Sequence, residues 1–399
     1  MIRSALVFLT CLFAIQLIFP KVVFSESVMI RFADGEQETQ TIQHLFNANG
    51  ELQETLLERV KTLTLKTRLE VSKELKIFVQ LTNGDILFVD QIKSVDDSFE
   101  VEFFGESLLL PIEIVREVTW KTTQYEYQRL KFPAGVDDIV ALENGDLVKG
   151  EFIAIEEQEL RIVTDVGLIK IPAGKVKTLT LSAQLSEEIK QPQRAYECYF
   201  SNGSVVTVDS LAYSEKESQF QFRFADLFKF SVPQKEITRI EIWSERFKRI
   251  SKDHLKSHSS ENFFGAEQQV FANFNSDRQL LITSQMSSKF GFGVRSHSRL
   301  TFEIPAEAVS VCGVVGLDAR GTQNGAVNAS ILVDGQIVWQ AVLDRFKSPS
   351  FDLPVISVHT SEVQKAFRKL ELVVDFGATA DVGDQVNWQG IYFELLTKD

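Results

Sequence analysis

The sequence predicts a mainly β protein, with tandem small β-barrel-like repeats followed by a jelly-roll β-sandwich. Three observations predict this fold class. In the N-terminal half, alternating apolar residues run into a turn glycine at four places. Each of these segments ends on a similar apolar strand. From about residue 261 onward, strand-like runs follow one another with Gly, Asn and Asp turns between them.

Length and composition limit the classes of function. A chain of 399 residues, 44% apolar and 24% charged, is globular and long enough for two or three domains. Its 42 basic and 55 acidic residues give a net charge of −13, which repels phosphate backbones, so nucleic acid is not an expected partner. Five histidines and three cysteines leave little material for a metal site or a disulfide framework, and no cofactor is predicted.

The first 25 residues have the pattern of a secretory signal peptide. Arg3 precedes an almost unbroken apolar run from Ala5 to Phe19, shorter than the ~20 residues that a membrane span needs. We expect cleavage after Ser25 and a secreted or extracytoplasmic protein, in the periplasm or at the cell surface, without a stable membrane span. Retention of this segment as an N-terminal anchor is the alternative.

Four repeats begin alike. Two alternating apolar residues precede a turn glycine, and three of the four glycines follow asparagine. Asn-Gly between apolar alternations favours a tight hairpin in which both central residues take positive φ. The beginnings are Ile30-x-Phe32 before Gly35, Val79-x-Leu81 before Gly84, Val140-x-Leu142 before Gly145, and Cys198-x-Phe200 before Gly203.

The four repeats also end alike. The hexapeptide Val60–Leu65 recurs letter for letter as Val176–Leu181. A proline stands shortly before the closing strand in three copies, whereas the first copy has Leu56 there and is the degenerate member. The prolines are Pro111, Pro172 and Pro233, and the predicted repeats, numbered 1 to 4, span residues 26–65, 77–120, 138–181 and 196–243.

Each repeat is short enough to close as a small, strongly bent five-stranded barrel. Leu142–Gly150 resembles the opening hairpin of Sm-like or SH3-like barrels. A continuous β-solenoid or a propeller is the alternative, but the long polar segments between the copies favour separate domains. The most basic segment, residues 244–260, is predicted to be a solvated linker.

Cys198 fills the inward position that Ile30, Val79 and Val140 occupy in the other copies. An oxidising compartment would permit a disulfide to Cys312. That bridge would have to join two different cores, so we expect Cys198 to be a buried free thiol.

Residues 261–399 are predicted to form one all-β domain, of a size that suits a two-sheet jelly roll. One helix-like stretch, Ser361–Arg368, interrupts the strands. The predicted strands are Gln269–Phe274, Arg299–Ile304, Val309–Leu317, Val327–Val333, Ile337–Ala341, Leu370–Phe376 and Ile391–Leu396.

The motifs of this domain, in their order, resemble the NPCBM family of carbohydrate-binding modules. The matching segments are Gly291–Phe302 (G-x-G-x-H-x-x-S-x-L-x-Y), Val315–Asp318 (V-G-I-D), Val327–Trp339 (F-x-V-x-x-D-G-x-x-V), and Leu370–Asp375 with Gly383–Trp388 (L-x-L-x-V and D-H-x-x-W). Arg295 and Gln385 stand where the family usually has histidine, and His297 follows two residues after Arg295. The resemblance implies a galactose-binding-like jelly roll that binds a glycan or polysaccharide.

A sugar-binding site needs an aromatic platform and fixed polar groups, usually on loops at one end of a sandwich. Trp388 is the candidate platform, with core packing as the alternative, and Trp339 is expected in the core. If a cofactor is bound, calcium is the candidate, held by Asp318, Asp381 and Asp384 with backbone carbonyls. The predicted carbohydrate-binding residues are Arg295, His297, Asp318, Arg320, Asp384, Asn387 and Trp388.

The chain lacks the common catalytic motifs, including Gly-x-Ser-x-Gly, His-Glu-x-x-His and the phosphate-binding or dinucleotide-binding glycine loops. We therefore expect a secreted, non-catalytic carbohydrate-binding protein, whose repeats act as spacer or assembly modules and contact protein partners. One alternative is a structural or protein-interaction component of the cell surface without glycan binding. Another is an unrecognised glycan hydrolase.

Overall fold

The structure is a computed structural model. It describes residues 27–32, 36–53, 56, 60–65, 75–123, 126–127, 135–184, 186–187, 189, 192, 194–284, 286–321, 325–354, 368–377 and 382–396. The predicted signal segment and the helix-like stretch up to residue 367 lie outside these residues. Within them, no helix is long and apolar enough to cross a membrane.

Repeats 2 to 4 share one plan of strands. Two strands flank the glycine turn, two or three more form a meander, and a three-residue 3-10 helix after the proline leads into the closing strand. The elements of repeats 1 and 2 are β1 (Ser27–Phe32), β2 (Gln37–Thr41), a 3-10 helix (Ile42–Leu45), β3 (Val60–Thr64), β4 (Lys76–Leu81), β5 (Ile86–Val89), β6 (Ile92–Val95), β7 (Ser98–Phe103), β8 (Glu106–Pro111), a 3-10 helix (Ile112–Ile114) and β9 (Val115–Thr122). Those of repeats 3 and 4 are β10 (Asp138–Leu142), β11 (Leu147–Glu156), β12 (Glu159–Thr164), β13 (Gly167–Pro172), a 3-10 helix (Ala173–Lys175), β14 (Val176–Thr180), β15 (Ala195–Phe200), β16 (Val205–Val208), β17 (Ser210–Ser214), β18 (Gln219–Phe224), β19 (Phe228–Pro233), a 3-10 helix (Gln234–Glu236) and β20 (Ile237–Trp243).

Within every repeat, the first strand pairs with the second strand on one side and with the closing strand on the other. In repeat 3 the second strand, β11, bends so that its first half pairs with β10 and its second half with β12. In repeats 2 and 4 the equivalent strand is divided at this bend, into β5 and β6 in repeat 2 and into β16 and β17 in repeat 4. No described pairing joins β13 to β14, so the predicted closed barrel is not confirmed.

The four repeats do not form separate domains, so that expectation is wrong. The closing strands of repeats 2 and 3 pair (β9 with β14), as do those of repeats 4 and 1 (β20 with β3), and the second strands of repeats 2 and 4 pair (β5 with β16). The result is one 14-stranded sheet, in which the repeats follow the order 3-2-4-1, over a shared hydrophobic core. Each repeat alone leaves two strand edges unpaired; neighbouring repeats pair both edges of repeats 2 and 4 and one edge of repeats 1 and 3.

The turn glycines keep their predicted place, but the turn type differs from the prediction. Gly84, Gly145 and Gly203 have φ between 85° and 92°, and among the described residues of these turns no asparagine has positive φ. In repeat 2 the backbone N–H of Leu81 donates to the carbonyl of Asp85 at 2.9 Å, which closes a three-residue loop. Such loops need positive φ only at the last position, which explains the glycine.

The C-terminal domain is a two-sheet β-sandwich. One sheet has the order β23-β26-β33-β28-β31, with β21 also paired to β33, and the other has the order β22-β27-β32-β29-β30. The two sheets enclose their own hydrophobic core. Its strands are β21 (Phe247–Arg249), β22 (Leu255–Ser260), β23 (Phe271–Ala272), β24 (Leu281–Ile282), β25 (Ser287–Ser288), β26 (Gly291–Val294), β27 (Ser298–Glu303), β28 (Ala308–Leu317), β29 (Ala326–Val333), β30 (Gln336–Asp344), β31 (Ser350–Pro354), β32 (Lys369–Phe376) and β33 (Val386–Leu395), with a 3-10 helix (Lys252–His254) between β21 and β22.

The basic segment 244–260 is not a free linker. Its strands β21 and β22 pair with β33 and β27, and thereby add a strand to each sheet of the sandwich. The guanidinium of Arg246 also donates from Nε to the carboxylate of Glu394 at 2.9 Å. Part of the positive charge of this segment is therefore paired with a carboxylate within the fold.

The sandwich packs against the long sheet, on the face opposite to the shared core. Apolar contacts join Phe78, Ile86 and Phe88 of repeat 2 to Phe274 and Ile282 of the sandwich. This second contact explains why β5, β15 and β16 are buried at every position, although the sequence alternation predicts half-buried strands. Cys198 and Cys312 are both buried and free, as expected, and they lie in different apolar clusters.

Candidate functional site

Three loops of the sandwich meet because the strands that carry them are paired at their ends. Val294, the last residue of β26, pairs with Val386, the first residue of β33. Leu317, the last residue of β28, also pairs with Val386. The loops that follow β26 and β28 and the loop that precedes β33 therefore converge. We call this end of the sandwich, with the segment 273–280 that contacts it, the rim.

Asp318 is the centre of a buried polar network at the rim. Its carboxylate accepts hydrogen bonds from Nδ2 of Asn387 at 2.8 Å, from Nδ2 of Asn275 at 3.0 Å and from Nε of Arg320 at 2.7 Å. Burial alone would raise the pKa of Asp318, but the hydrogen bonds and charge of Arg320 outweigh burial and lower that pKa. Asp318, Arg320 and Asn387 therefore fix the rim from inside.

A second polar group, which is partly exposed, lies at the same rim. Nη2 of Arg295 donates to Oδ1 of Asp277 at 3.1 Å, and Nε2 of Gln385 donates to Oδ2 of Asp277 at 2.5 Å. The side chains of Arg295 and Asp277 are 33% and 43% exposed. Asp384 is buried behind them, where its Oδ2 accepts from the backbone N–H of Ser296 at 2.9 Å. Burial raises the pKa of Asp384, against the opposing hydrogen bonds from Ser296.

Trp388 does not form an exposed platform. Its side chain is fully buried in the sandwich core, where its ring lies 6.0 Å from that of Phe351. Trp339 packs partly buried against the same core. The alternative of core packing is therefore correct for Trp388, because β33 is covered on both faces in its central part.

The rim has an aromatic neighbour that sequence reasoning missed. His297 is exposed, and its ring lies 6.1 Å from that of Phe376. Phe376 in turn contacts Phe263, at 5.6 Å between ring centroids, and Phe263 contacts Phe264 at 5.7 Å. Phe263 and Phe264 are 57% and 87% exposed. The adjacent pair of phenylalanines was the only sequence signal for this surface, and the sequence did not show that both are exposed.

The described residues contain no cluster of side chains that would support the predicted calcium site. No group of three or more His, Cys, Asp or Glu side chains that could hold a metal ion occurs in the described part of the chain. Asp318 and Asp384 are bound to Arg320 and Ser296, and Asp381 lies outside the described residues.

Residues 249–394 match the model of the NPCBM/NEW2 domain family; the match covers the sandwich and does not extend to the repeats. The resemblance seen in the sequence is thereby confirmed. No curated protein matches the chain.

Among solved structures, the chain is similar to CBM51 carbohydrate-binding modules. One match is the CBM51-2 and INT domains of Clostridium perfringens ZmpB, at 15% identity and a TM-score of 0.32, over 48% of this chain and 40% of that one. Another is the CBM51 module of Clostridium perfringens GH95 in complex with methyl-galactose, at 15% identity and 0.31, over 37% of this chain and 99% of that one. A third is the tandem CBM51 modules of a Streptococcus pneumoniae family 98 glycoside hydrolase, at 9% identity and 0.31, over 80% and 88%. The chain thus spans less than half the length of the first of these structures.

Proposed function

We propose that this chain is a secreted, non-catalytic glycan-binding protein and that its sandwich binds sugar at the rim. The observation that carries the proposal is the NPCBM/NEW2 match over residues 249–394, which coincides with the sandwich. The signal-like first 25 residues support secretion.

The partly exposed polar group at the rim suits sugar hydroxyls. Arg295 offers donors and Asp277 offers acceptors, and their mutual ion pair and Gln385 hold both side chains in place before a ligand arrives. Asp318, Asp384 and Asn387 are buried and the side chain of Arg320 is only 13% exposed, so we assign all four the role of positioning the loops and not of contacting the sugar.

The exposed phenylalanines beside His297 replace Trp388 as the platform in this proposal. Sugars present an apolar face that packs on an aromatic ring, and Phe264 is the most exposed ring of the group. His297 is two residues from Arg295 along the chain, so the aromatic surface and the polar group flank the same loop.

Binding of the purified chain to a glycan array tests this proposal. We expect Arg295→Ala and Phe264→Ala each to weaken binding to the array's best ligand at least ~10-fold, or about 1.4 kcal/mol. Arg223→Ala and Leu109→Ala are matched controls in the repeats, because Arg223 is 45% exposed in an ion pair with Asp209 and Leu109 is an apolar side chain that is 51% exposed. A wild-type chain that binds no glycan, or that releases sugar from a polysaccharide, would contradict the proposal.

A structural role without glycan binding is the second candidate function. The joining of the four repeats through their strand edges favours it, since a strand edge presents backbone groups that can also pair with another chain. It predicts that no glycan on the array binds, while the chain still self-associates or captures a protein partner.

A further inference from the structure

The junction between repeats 2 and 4 has approximate two-fold symmetry. The residue after each turn glycine accepts a backbone hydrogen bond from the other repeat: Asp85 Oδ2 accepts from the N–H of Thr207 at 3.0 Å, and Ser204 Oγ accepts from the N–H of Phe88 at 2.8 Å. Thr207 and Phe88 occupy the same position in their repeats. Val205 and Ile86, which pair at the centre, are also equivalent residues.

Repeat 3 has the same segment, but nothing in the described strand pairing lies on its outer side. The residues equivalent to Asp85, Ile86 and Phe88 are Asp146, Leu147 and Lys149, which follow Gly145 in the same register. All three are exposed, whereas the segments of repeats 2 and 4 are buried, in part by Lys289 of the sandwich.

The backbone of this segment is oriented for pairing. The carbonyl of Asp146 accepts from the N–H of Leu142 in β10 at 2.9 Å. Along an antiparallel strand, the N–H and C=O groups of successive residues point to opposite sides. The N–H and C=O groups of Leu147 and Lys149 therefore point away from β10. A groove of about 610 Å³, lined in part by Val136, Lys149 and Val163, begins at the Lys149 end of this segment.

We propose that this edge of repeat 3 pairs with the same edge of a second copy of the chain, in the arrangement that repeats 2 and 4 adopt. The dimer axis then passes beside Leu147, which faces Leu147 of the second copy. The occupant is a second copy because the interface continues a pairing that the chain already makes with itself.

The charges of this segment complement each other across the dimer axis. In the internal junction, the hydroxyl of Thr207 donates to Oδ1 of Asp85 at 2.9 Å, so side chains at these two positions meet. In the dimer, Lys149 of each copy therefore meets Asp146 of the other, which gives two ion pairs. The opposite end of the sheet, β2, has polar Gln37 at the position of Leu147, so it lacks the central apolar contact.

Light scattering and cross-linking of the purified chain test the dimer. We expect a mass twice that of one chain, falling on dilution. With a short bis-maleimide, Leu147→Cys should give a covalent dimer. Leu227→Cys, in the exposed turn between β18 and β19 of repeat 4, should not, and neither should the chain without either change, because cleavage of the predicted signal segment removes Cys11 and because Cys198 and Cys312 are buried. A single-chain mass at all concentrations, or equal cross-linking of both variants, overturns the proposal.

A charge exchange identifies the partner edge. Asp146→Lys alone should weaken the dimer at least ~10-fold, because it places two lysines together, and Asp146→Lys with Lys149→Asp should restore it. If this edge paired instead with β2 of another copy, Lys149→Asp would bring a second negative charge opposite Glu36. Failure of the double variant to restore the dimer would therefore contradict the two-fold arrangement. Neither substitution touches the rim, so loss of glycan binding is a separate outcome.

Discussion

Lys61 and Lys177 occupy the same position in the identical hexapeptides Val60–Leu65 and Val176–Leu181, yet their environments are opposite. Lys177 is exposed, whereas Lys61 is fully buried. Nζ of Lys61 donates to the carbonyl of Ile242 at 3.0 Å and lies 3.2 Å from the ring centroid of Trp243. The sandwich covers Lys61 of repeat 1, whereas Lys177 of repeat 3 stays exposed among the described residues, so tertiary packing alone separates the two lysines.

The stability of the protein should depend on pH through Lys61. Burial lowers the pKa of Lys61 to about 7 from its ordinary value of 10.5, against the opposing charge of Glu241. The unfolded chain keeps the ordinary pKa, so between these two values unfolding takes up a proton. The Lys61 contribution to the free energy of unfolding therefore rises with pH across this window, by up to about 1.4 kcal/mol per pH unit, and is constant below it.

Urea unfolding of Lys61→Met at several pH values measures this contribution. The free energy of unfolding of the variant minus that of the wild type should be largest at neutral pH and should shrink as the pH rises. Lys177→Met is the control and should show no such trend. A difference for Lys61→Met that stays constant between neutral pH and pH ~9 would contradict the lowered pKa.

The glycine turns are the elements that define the repeats, and their asparagines have two different roles. Oδ1 of Asn83, Asn144 and Asn202 accepts from the backbone N–H two residues later, at 2.9 to 3.1 Å. Nδ2 of Asn202 also donates to the carbonyl of Phe88 in repeat 2, at 2.9 Å. The same turn motif therefore stabilises a hairpin in repeat 3 and joins two repeats in repeat 4.

This difference predicts unequal losses of stability. Asn144→Ala removes the hydrogen bonds of an exposed turn, and Asn202→Ala additionally leaves a carbonyl of the junction without this donor. We expect Asn202→Ala to lower the free energy of unfolding by about 1 kcal/mol more than Asn144→Ala. Equal losses in urea unfolding of the two variants would show that the contact with Phe88 contributes nothing.

At the scale of the whole molecule, buried charges join the sandwich to the sheet. Nζ of Lys289, in the sandwich, forms an ion pair with Asp85 of repeat 2 and lies 3.5 Å from Oε2 of Glu197 in repeat 4. Glu197 is also paired with Arg249. Burial alone would raise the pKa of Glu197, but the charges of Arg249 and Lys289 lower it to about 2. Both halves of the protein are therefore expected to unfold together.

Removal of Lys289 should test this coupling. Lys289→Met leaves the buried carboxylate of Asp85 without its cation and should cost about 3–5 kcal/mol. Lys289→Met combined with Asp85→Asn should recover part of that loss, because it removes the unpaired charge. Thermal unfolding of the wild type in two separate transitions, or additive effects in the double variant, would argue against a coupled interface.

The sequence predicted the repeats, the turn glycines and most sandwich strands, because these depend on residues close together in the chain. Pro111, Pro172 and Pro233 each precede a 3-10 helix and a closing strand, at the places where the repeat pattern puts them. It also indicated most of the rim, since Arg295, Asp318, Arg320, Asp384 and Asn387 all lie there. Asp277 and Phe264 were missed because they stand outside the recognised motifs.

Only the tertiary structure decided which repeat edges pair, which strands are buried on both faces and which copy of a repeated residue is exposed. Unpaired strand edges carry the same backbone groups in every repeat, so the local sequence cannot select the order 3-2-4-1. The local sequence also could not predict that Trp388 is buried, because its burial depends on Phe351 and other residues distant in the chain. Local patterns are set by neighbouring residues, whereas these choices are set by contacts between distant ones.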